Sequence, residues 1–283
     1  MNAPNAIPRL RELILQLAVQ GKLVEQDERD EPAARQIERM EAKRNRLVRE
    51  KIIKEVKSLP PVADDEKLFE IPDNWQWVRL GYIADYCLGK MLDQNKNKGN
   101  LLPYLRNVNV RWFDFDLSDV LEMRFEDKEL ERFDLQTGDV LVCEGGEPGR
   151  AAIWDGRVHS MKFQKALHRV RPSAALYNRF LVYLLFINAK TGELDKHFTG
   201  ATIKHFTGQK LASYVIALPP LEEQKRIVAK VDELMRQCDG LEREQTERRA
   251  TRSHLNRAAL DQLLAARDAV EFQARWHTVS DPS

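Results

Sequence analysis

The sequence predicts an α+β fold: a globular, β-rich domain flanked by long helices that pack as a coiled-coil-like region. Three observations predict it. Residues 9–57 carry helical apolar spacing on a charged background. Residues 67–217 change to short apolar runs separated by Gly, Asp and Asn. From Leu221 onward the apolar residues step by fours and threes along a charged rod. The domains expected from these textures are 1–60, 61–218 and 219–283, and a chain of 283 residues has room for one large domain or two modest ones.

The N-terminal segment begins with LRELILQLAVQGKLV. There Leu10, Leu13, Ile14 and Leu17 follow the i, i+3, i+4, i+7 spacing of one helix face, and Gly21 is the expected stop. The polar turn EQDERDEP leads to Pro32, which suits the first turn of a second helix. That helix is expected over residues 33–57, with Ile37, Met40, Leu47, Val48, Ile52 and Val56 as its apolar stripe. SLPPVADDE then breaks the helix and reads as a linker.

In the middle zone, WVRLGYIADYCLG, DVLVCEGG, AAIW and ALHRVRP read as strands with turns between them. One helix is expected within RFLVYLLFINAK and a shorter one within GQKLASYVI. Trp75, Trp77, Trp112 and Trp154 lie here and are expected mostly in the core.

The third zone opens with LPPLEEQKRIVAKVDEL, where two prolines stop what precedes and a helix starts at once. Ile227, Val231, Leu234, Cys238 and Leu241 form a heptad seam, which fades in EREQTERRATRSH and resumes at Leu255, Ala259 and Leu263. Unbroken to Val270, this helix would be on the order of 75 Å long at ~1.5 Å per residue. Gly240 is its weak point, at ~1 kcal/mol against Ala. A helix this polar is not stabilised by its own burial, so these eight seam residues are the candidate contacts with a partner helix.

Composition excludes several classes. There is no apolar run of about 18 residues, so no membrane span is expected, and MNAPNAIPRL is not a secretory signal. Cys87, Cys143 and Cys238 are odd in number and far apart, which fits a reduced cytoplasm and small buried hydrophobes rather than zinc or disulfides. No phosphate loop with a Lys, HExxH or CxxC occurs. His197 and His205 have no acidic pattern between them, and Asp139 and Glu144 lack the following Lys of a nuclease cluster, so both carboxylates read as structural. GGEPG reads as a turn that brings Arg150 toward a ligand. No catalytic residue, metal or cofactor is expected on this chain.

Net charge is +1, so any basic surface must come from uneven distribution. Between Asp114 and Glu147 there are 12 acidic and 3 basic residues, whereas the rest of residues 67–218 holds 18 basic and 7 acidic. This predicts one acidic and one basic face. The basic share mixes cations, which meet phosphates, with amides, which pair with base edges. The candidate nucleic-acid contacts are Lys96, Lys98, Arg106, Asn107, Asn109, Arg111, Arg150, Lys162, Gln164, Lys165, Lys204 and His205, with Arg106, Asn107 and Gln164 favoured for base edges.

LPPLEEQKRIVAKVDEL resembles the sequence that follows a target-recognition domain in specificity subunits of type I restriction–modification systems. LRELILQLAVQGKLVEQDERDEPA resembles the end of a helical region of that family, and IPDNWQWVRLGYIADYCLGK the entry to a recognition domain. Family members usually carry two recognition domains, whereas this chain has one, with no internal repeat. It therefore reads as a half-subunit or a fragment. The resemblance implies a non-catalytic, sequence-specific reader of double-stranded DNA that acts in the cytoplasm and directs separate modification (methyltransferase) and restriction (motor–nuclease) subunits to a bipartite site. S-adenosylmethionine would sit on the modification subunit, as the absence of an (N/D/S)PP(Y/F) motif here fits. The rod would be a spacer, and a half-subunit would form a homodimer through it. The alternative is a non-catalytic coiled-coil scaffold that binds protein.

Overall fold

The structure is a computed structural model that describes residues 6–51, 59–93 and 97–280. It contains two compact units. One spans residues 12–231; the other combines the described residues of 1–11 and 232–283.

The chain starts with helix α1 (Ala6–Val19), whose last residues enter the larger unit. Ile14, Leu15, Ala18 and Val19 are buried there, while Leu10 and Leu13 of the expected face are exposed. The buried stripe is thus rotated from the predicted one. Apolar residues lie on several sides of this helix, so its spacing fits more than one phase and tertiary packing selects among them. Gly21 ends the helix at φ +69°, with Lys22 N–H donating to Leu17 O at 2.9 Å. A Cβ on Gly21 would stand 3.0 Å from Pro72 and Trp75, so glycine serves both the left-handed turn and the close approach. Helix α2 (Ala33–Arg49) starts directly after Pro32. It ends at Arg49, and residues 52–57 of the helix expected over 33–57, with Ile52 and Val56 of its stripe, lie outside the described residues.

Strand β1 (Gln76–Arg79) is followed by one helical turn, α3 (Leu80–Ile83), and by β2 (Ala84–Leu88). Next come β3 (Asn100–Leu105), the short pair β4 (Val110–Arg111) and β5 (Asp114–Phe115), β6 (Leu121–Phe125) and helix α4 (Asp127–Phe133). Strands β7 (Val140–Cys143), β8 (Ala151–Ile153), β9 (Lys162–Phe163) and β10 (Leu167–Pro172) precede helix α5 (Asn178–Thr191), the short helix α6 (Gly208–Ser213) and β11 (Val215–Leu218). An antiparallel sheet has the order β2-β10-β7-β8, and a second has the order β6-β3-β9, with β9 parallel to β3. The uninterrupted apolar run of β7 is buried at all four positions because it lies between β10 and β8. On β6, Met123 and Phe125 point inward between exposed neighbours, the period-two pattern of a half-buried strand. Helix α5 buries Phe180, Leu181, Val182, Leu184, Leu185 and Ile187, each contributing roughly 1.5–3 kcal/mol. Trp75 and Trp154 are core residues as expected, whereas Trp77 and Trp112 are half-buried.

β1 pairs antiparallel with β11, so the entry and exit of the β-rich domain lie side by side. Arg79 ties this pair to the linker, donating to Pro60 O, Pro61 O, Ser213 O and the Glu66 carboxylate. Helix α7 (Leu221–Leu264) starts immediately after Pro219 and Pro220. Its first turns act as a clamp. Glu223 Oε1 accepts from Trp75 Nε1 at 3.0 Å and Gln26 Nε2 at 2.6 Å. Gln224 accepts from Tyr177 N–H and donates to Ala175 O and Pro219 O. Arg226 grips Asp30 with two bonds. The LEEQKR run thus ties the first turns of α7 to Gln26, Asp30, Trp75 and the 175–177 segment of the larger unit.

In the smaller unit, Arg11 of α1 bonds Asp239 at 2.6 Å and Glu242 at 3.1 Å. α7 has 44 residues, about 66 Å at ~1.5 Å per residue, and includes Gly240. It ends at Leu264 and does not reach Val270. Helix α8 (Ala269–Ser280) follows after a short turn, with Asp268 accepting from Glu271 N–H at 2.8 Å. Arg275 reaches back to Gln262 O at 2.6 Å.

The seam divides accordingly. Ile227, Val231 and Cys238 are buried within the chain itself, Leu234, Ala259 and Leu263 are half-buried, and Leu241 and Leu255 are exposed. Ile227 and Val231 are therefore core rather than a free face, because the first turns of α7 belong to the larger unit, and Cys238 is a buried residue of the smaller one.

Candidate nucleic-acid interface

Glu144, at the end of β7, is the hub of the candidate interface. Its N–H donates to Ala166 O at 2.9 Å, and its carbonyl accepts from Phe206 N–H at 2.8 Å. Its carboxylate faces His205 Nδ1 at 3.0 and 3.1 Å. The next carbonyl, Gly145 O, accepts from Asn107 Nδ2 at 3.2 Å. Four loops from distant parts of the sequence thus meet: the 106–109 turn after β3, the 144–149 loop, the 164–166 turn before β10 and the 199–206 loop before α6. A fifth, the 88–90 turn, joins through Lys165 N–H, which donates to Lys90 O at 2.8 Å. Strand ends of both sheets hold these loops, the arrangement expected of a binding surface on a rigid scaffold.

Glycine makes the close approach possible. Gly146 has φ +82°, and a Cβ there would lie 2.4 Å from Asn107 Nδ2. Arg150 Nη2 donates to Asn107 O at 2.9 Å and also pairs with Glu147. His205 is held by two backbone bonds with Thr199 at 2.8 and 2.9 Å.

The predicted residues separate into three groups. Asn107, Arg150, Gln164, Lys165 and His205 come together around Glu144, with Lys204 beside His205 and paired to Asp195 at 2.6 Å. Lys165 is exposed and Gln164 half-buried. Arg106 and Arg111 flank the 106–109 turn, bonded to Asp119 at 2.5 Å and Asp116 at 3.1 Å. Lys98 is exposed on a separate turn before β3, and Lys96 lies outside the described residues.

Two candidates are scaffold instead. Lys162 is buried against Asp134 at 2.5 Å. Asn109 is buried, donating to Asp116 O and Asp119 O and accepting from Arg106 N–H. A strand position and a turn position with polar side chains look the same in sequence whether they face in or out.

The predicted division into one acidic and one basic face is not what the structure shows. Carboxylates of the 114–147 stretch pair instead with cations from outside it: Asp114 with Arg157, Asp116 with Arg111, Asp119 with Arg106, Glu129 with Lys90, Asp134 with Lys162 and Asp139 with Arg171. Strand order interleaves what the sequence segregates.

The ionisable groups give little sign of reactive chemistry. Burial pushes the Cys143 thiol up to about 11 and holds the His168 imidazole below its ordinary value. His197 is likewise lowered by burial. Among the described residues, no group of three or more His, Cys, Asp or Glu is placed to hold a metal ion, and no helix is long and apolar enough to cross a membrane. Glu144 was read from sequence as structural, yet it organises the face. The signal for it was the CEGGEPG turn, a carboxylate followed by two glycines at a strand end.

Comparison with known proteins identifies the family. The family model described as type I restriction modification DNA specificity domain matches residues 72–249. The chain is 31% identical over 285 residues to the type I restriction enzyme EcoAI specificity subunit of Escherichia coli, covering 97% of this chain and 47% of that protein. It is 28% identical over 276 residues to the EcoEI specificity subunit of Escherichia coli, covering 92% of this chain and 45% of that one. The chain thus spans about half the length of these curated relatives. A structure solved in work on complex assembly and conformational transition of the type I R-M system aligns with TM-score 0.54 and 26% identity, over 81% of this chain and 54% of that chain. The β-rich domain between two prolines and a linker, the clamp at LEEQKR and the match over residues 72–249 together place this chain in the family of type I restriction–modification DNA specificity subunits.

Proposed function

We propose that this chain reads one half of a bipartite DNA site and has no catalytic activity of its own. The observation that carries this reading is the meeting, at Glu144 and Gly145, of the loops that carry Asn107, Arg150, Gln164, Lys165 and His205, held by two sheets in a chain of the specificity family. Cations and backbone donors hold the phosphates, while the amides and His205 reach base edges in the major groove. Lys98 extends the phosphate-facing set, and Lys96 remains a candidate by its sequence. Modification and restriction subunits supply the chemistry, with S-adenosylmethionine bound to the modification subunit, and the assembly works on DNA in the cytoplasm.

A second copy, or a second half carrying another recognition domain, pairs with this chain through the rod. Since Ile227, Val231 and Cys238 are buried inside the chain, pairing falls to Leu241 and Leu255, with Leu234, Ala259 and Leu263 partly available. The test is co-purification with the modification subunit, followed by S-adenosylmethionine-dependent methylation of random DNA read by sequencing. A palindromic gapped motif supports a homodimer, and an asymmetric motif a different second half. No complex and no methylation would overturn the reading.

A further inference from the structure

The inference concerns which base edge the Glu144 hub accepts, and it rests on the DNA-reading role proposed above. A carboxylate only accepts hydrogen bonds, so the two 3.0–3.1 Å contacts to His205 require the proton to sit on Nδ1. In the neutral ring this leaves Nε2 as a bare acceptor. The His205 side chain is 43% exposed, and Nε2 has no partner among the described residues. The Glu144 carboxylate holds the ring through Nδ1, and two backbone bonds to Thr199 fix the residue that carries it; at Gly145 a Cβ would come within 3.4 Å of Nδ1, so glycine leaves room for the ring. An acceptor held this way beside a second, partly exposed acceptor is a poor match for phosphate, and also for the O6 of guanine or the O4 of thymine. The donors offered in the major groove are the exocyclic amino groups, N6 of adenine and N4 of cytosine.

The geometry points to His205 Nε2 as an acceptor that selects a base carrying an exocyclic amino group at one position of the half-site. His205 Nε2 makes the contact, and Glu144 is a positioning residue that fixes the tautomer. Lys204 stays out of this contact, bonded to Asp195.

The experiment uses the full chain and selection from random duplexes, for the wild type and for His205→Ala, His205→Arg and Glu144→Ala. The wild type should show one position restricted to adenine or cytosine on the read strand. Replacing that base by purine or 2-pyrimidinone, which lack the amino group, should weaken wild-type binding about 2- to 13-fold, the worth of one hydrogen bond. His205→Ala should bind the natural and analogue duplexes alike, with an unchanged salt slope. His205→Arg, a donor only, should move the preference to guanine or thymine. Nitrogen-15 NMR should show the Nδ1–H tautomer in the wild type and its loss in Glu144→Ala, a change that simple loosening of the loop does not predict. An unaffected analogue duplex with the wild type overturns the inference even if every variant misfolds. So does a His205→Ala chain that weakens all sequences equally. If the wild type selects no sequence at all, the DNA-reading role itself falls. If it selects one without restriction to amino-bearing bases, only this inference falls.

Discussion

Replacing Glu223 by Gln should stabilise the protein at pH 8 and leave it nearly unchanged at pH 5. The carboxylate is fully buried; Oε1 accepts from Trp75 and Gln26, while Oε2 has no hydrogen-bond partner among the described residues. Burial is the largest influence, and it raises the Glu223 pKa above the ordinary 4.5 despite two hydrogen bonds that act the other way. The folded state therefore keeps this proton to a higher pH than the unfolded chain does. Stability is lost as pH rises from about 4.5 through the raised value, and it is regained on acidification through the same window. Each pH unit of that window is worth ~1.4 kcal/mol. Gln retains the Oε1 acceptor and removes the charge, but it places a neutral amide N–H₂ where Oε2 was unpartnered, which offsets part of the gain. A net gain of about 1 kcal/mol at pH 8 follows, or roughly 0.4 M in urea midpoint for a slope near 2.5 kcal/mol/M. Urea titrations of both chains at pH 5 and pH 8 measure it. A variant no more stable than the wild type at pH 8, or a difference equal at the two pH values, would refute the account of a strained buried carboxylate.

Other predictions follow from the same geometry. Asp139→Ala removes two bonds to Arg171 and one to Gln136 N–H at a buried carboxylate, and should cost about 2–4 kcal/mol in urea titration, moderated because Arg171 is partly exposed. Gly146→Ala forces a side chain into a left-handed backbone and against Asn107, and should lower Tm by about 3–6 °C by calorimetry. Lys165→Ala or Arg111→Ala should weaken binding to all duplexes alike and lower the salt slope by ~0.9 per lost phosphate contact, whereas Gln164→Ala should relax preference at one position, both read by fluorescence titration. Leu241→Glu with Leu255→Glu should abolish self-association in sedimentation while leaving the melting of the larger unit unchanged, because both residues are exposed in the single chain.

Local signals carried much of the fold. Helix α5 and the buried strand β7 follow from their apolar runs, Gly21 ends α1 as expected, and the Pro-Pro stop does begin α7. The phase of α1 did not follow, since a helix with apolar residues on several sides leaves the choice of face to its neighbours. The break before Ala269 was legible in DAVE, a capping Asp with Glu three residues on, but helix propensity across it masked the signal. The candidate face was legible only as composition. Glu144 and His205 are 61 residues apart, and only the sheet order brings them together. A shorter separation, 28 residues, likewise hides why Lys162 faces Asp134 rather than solvent.

The ion pairs on the candidate face bear on how such a surface would discriminate. Arg106, Arg111, Arg150 and Lys204 each arrive already bonded to a carboxylate. For these groups, contact with a phosphate is an exchange of one anion for another, with little net attraction at first encounter. The displaced carboxylates must then find donors, and in a duplex those are the amino groups of particular bases. A correct site offers replacement partners on both sides of the exchange, whereas an incorrect one strands the carboxylates beside the phosphates they repel. A face of this kind, in the proposed DNA-reading role, would reject random DNA as much as hold its own site, as a protein searching among many wrong sequences requires.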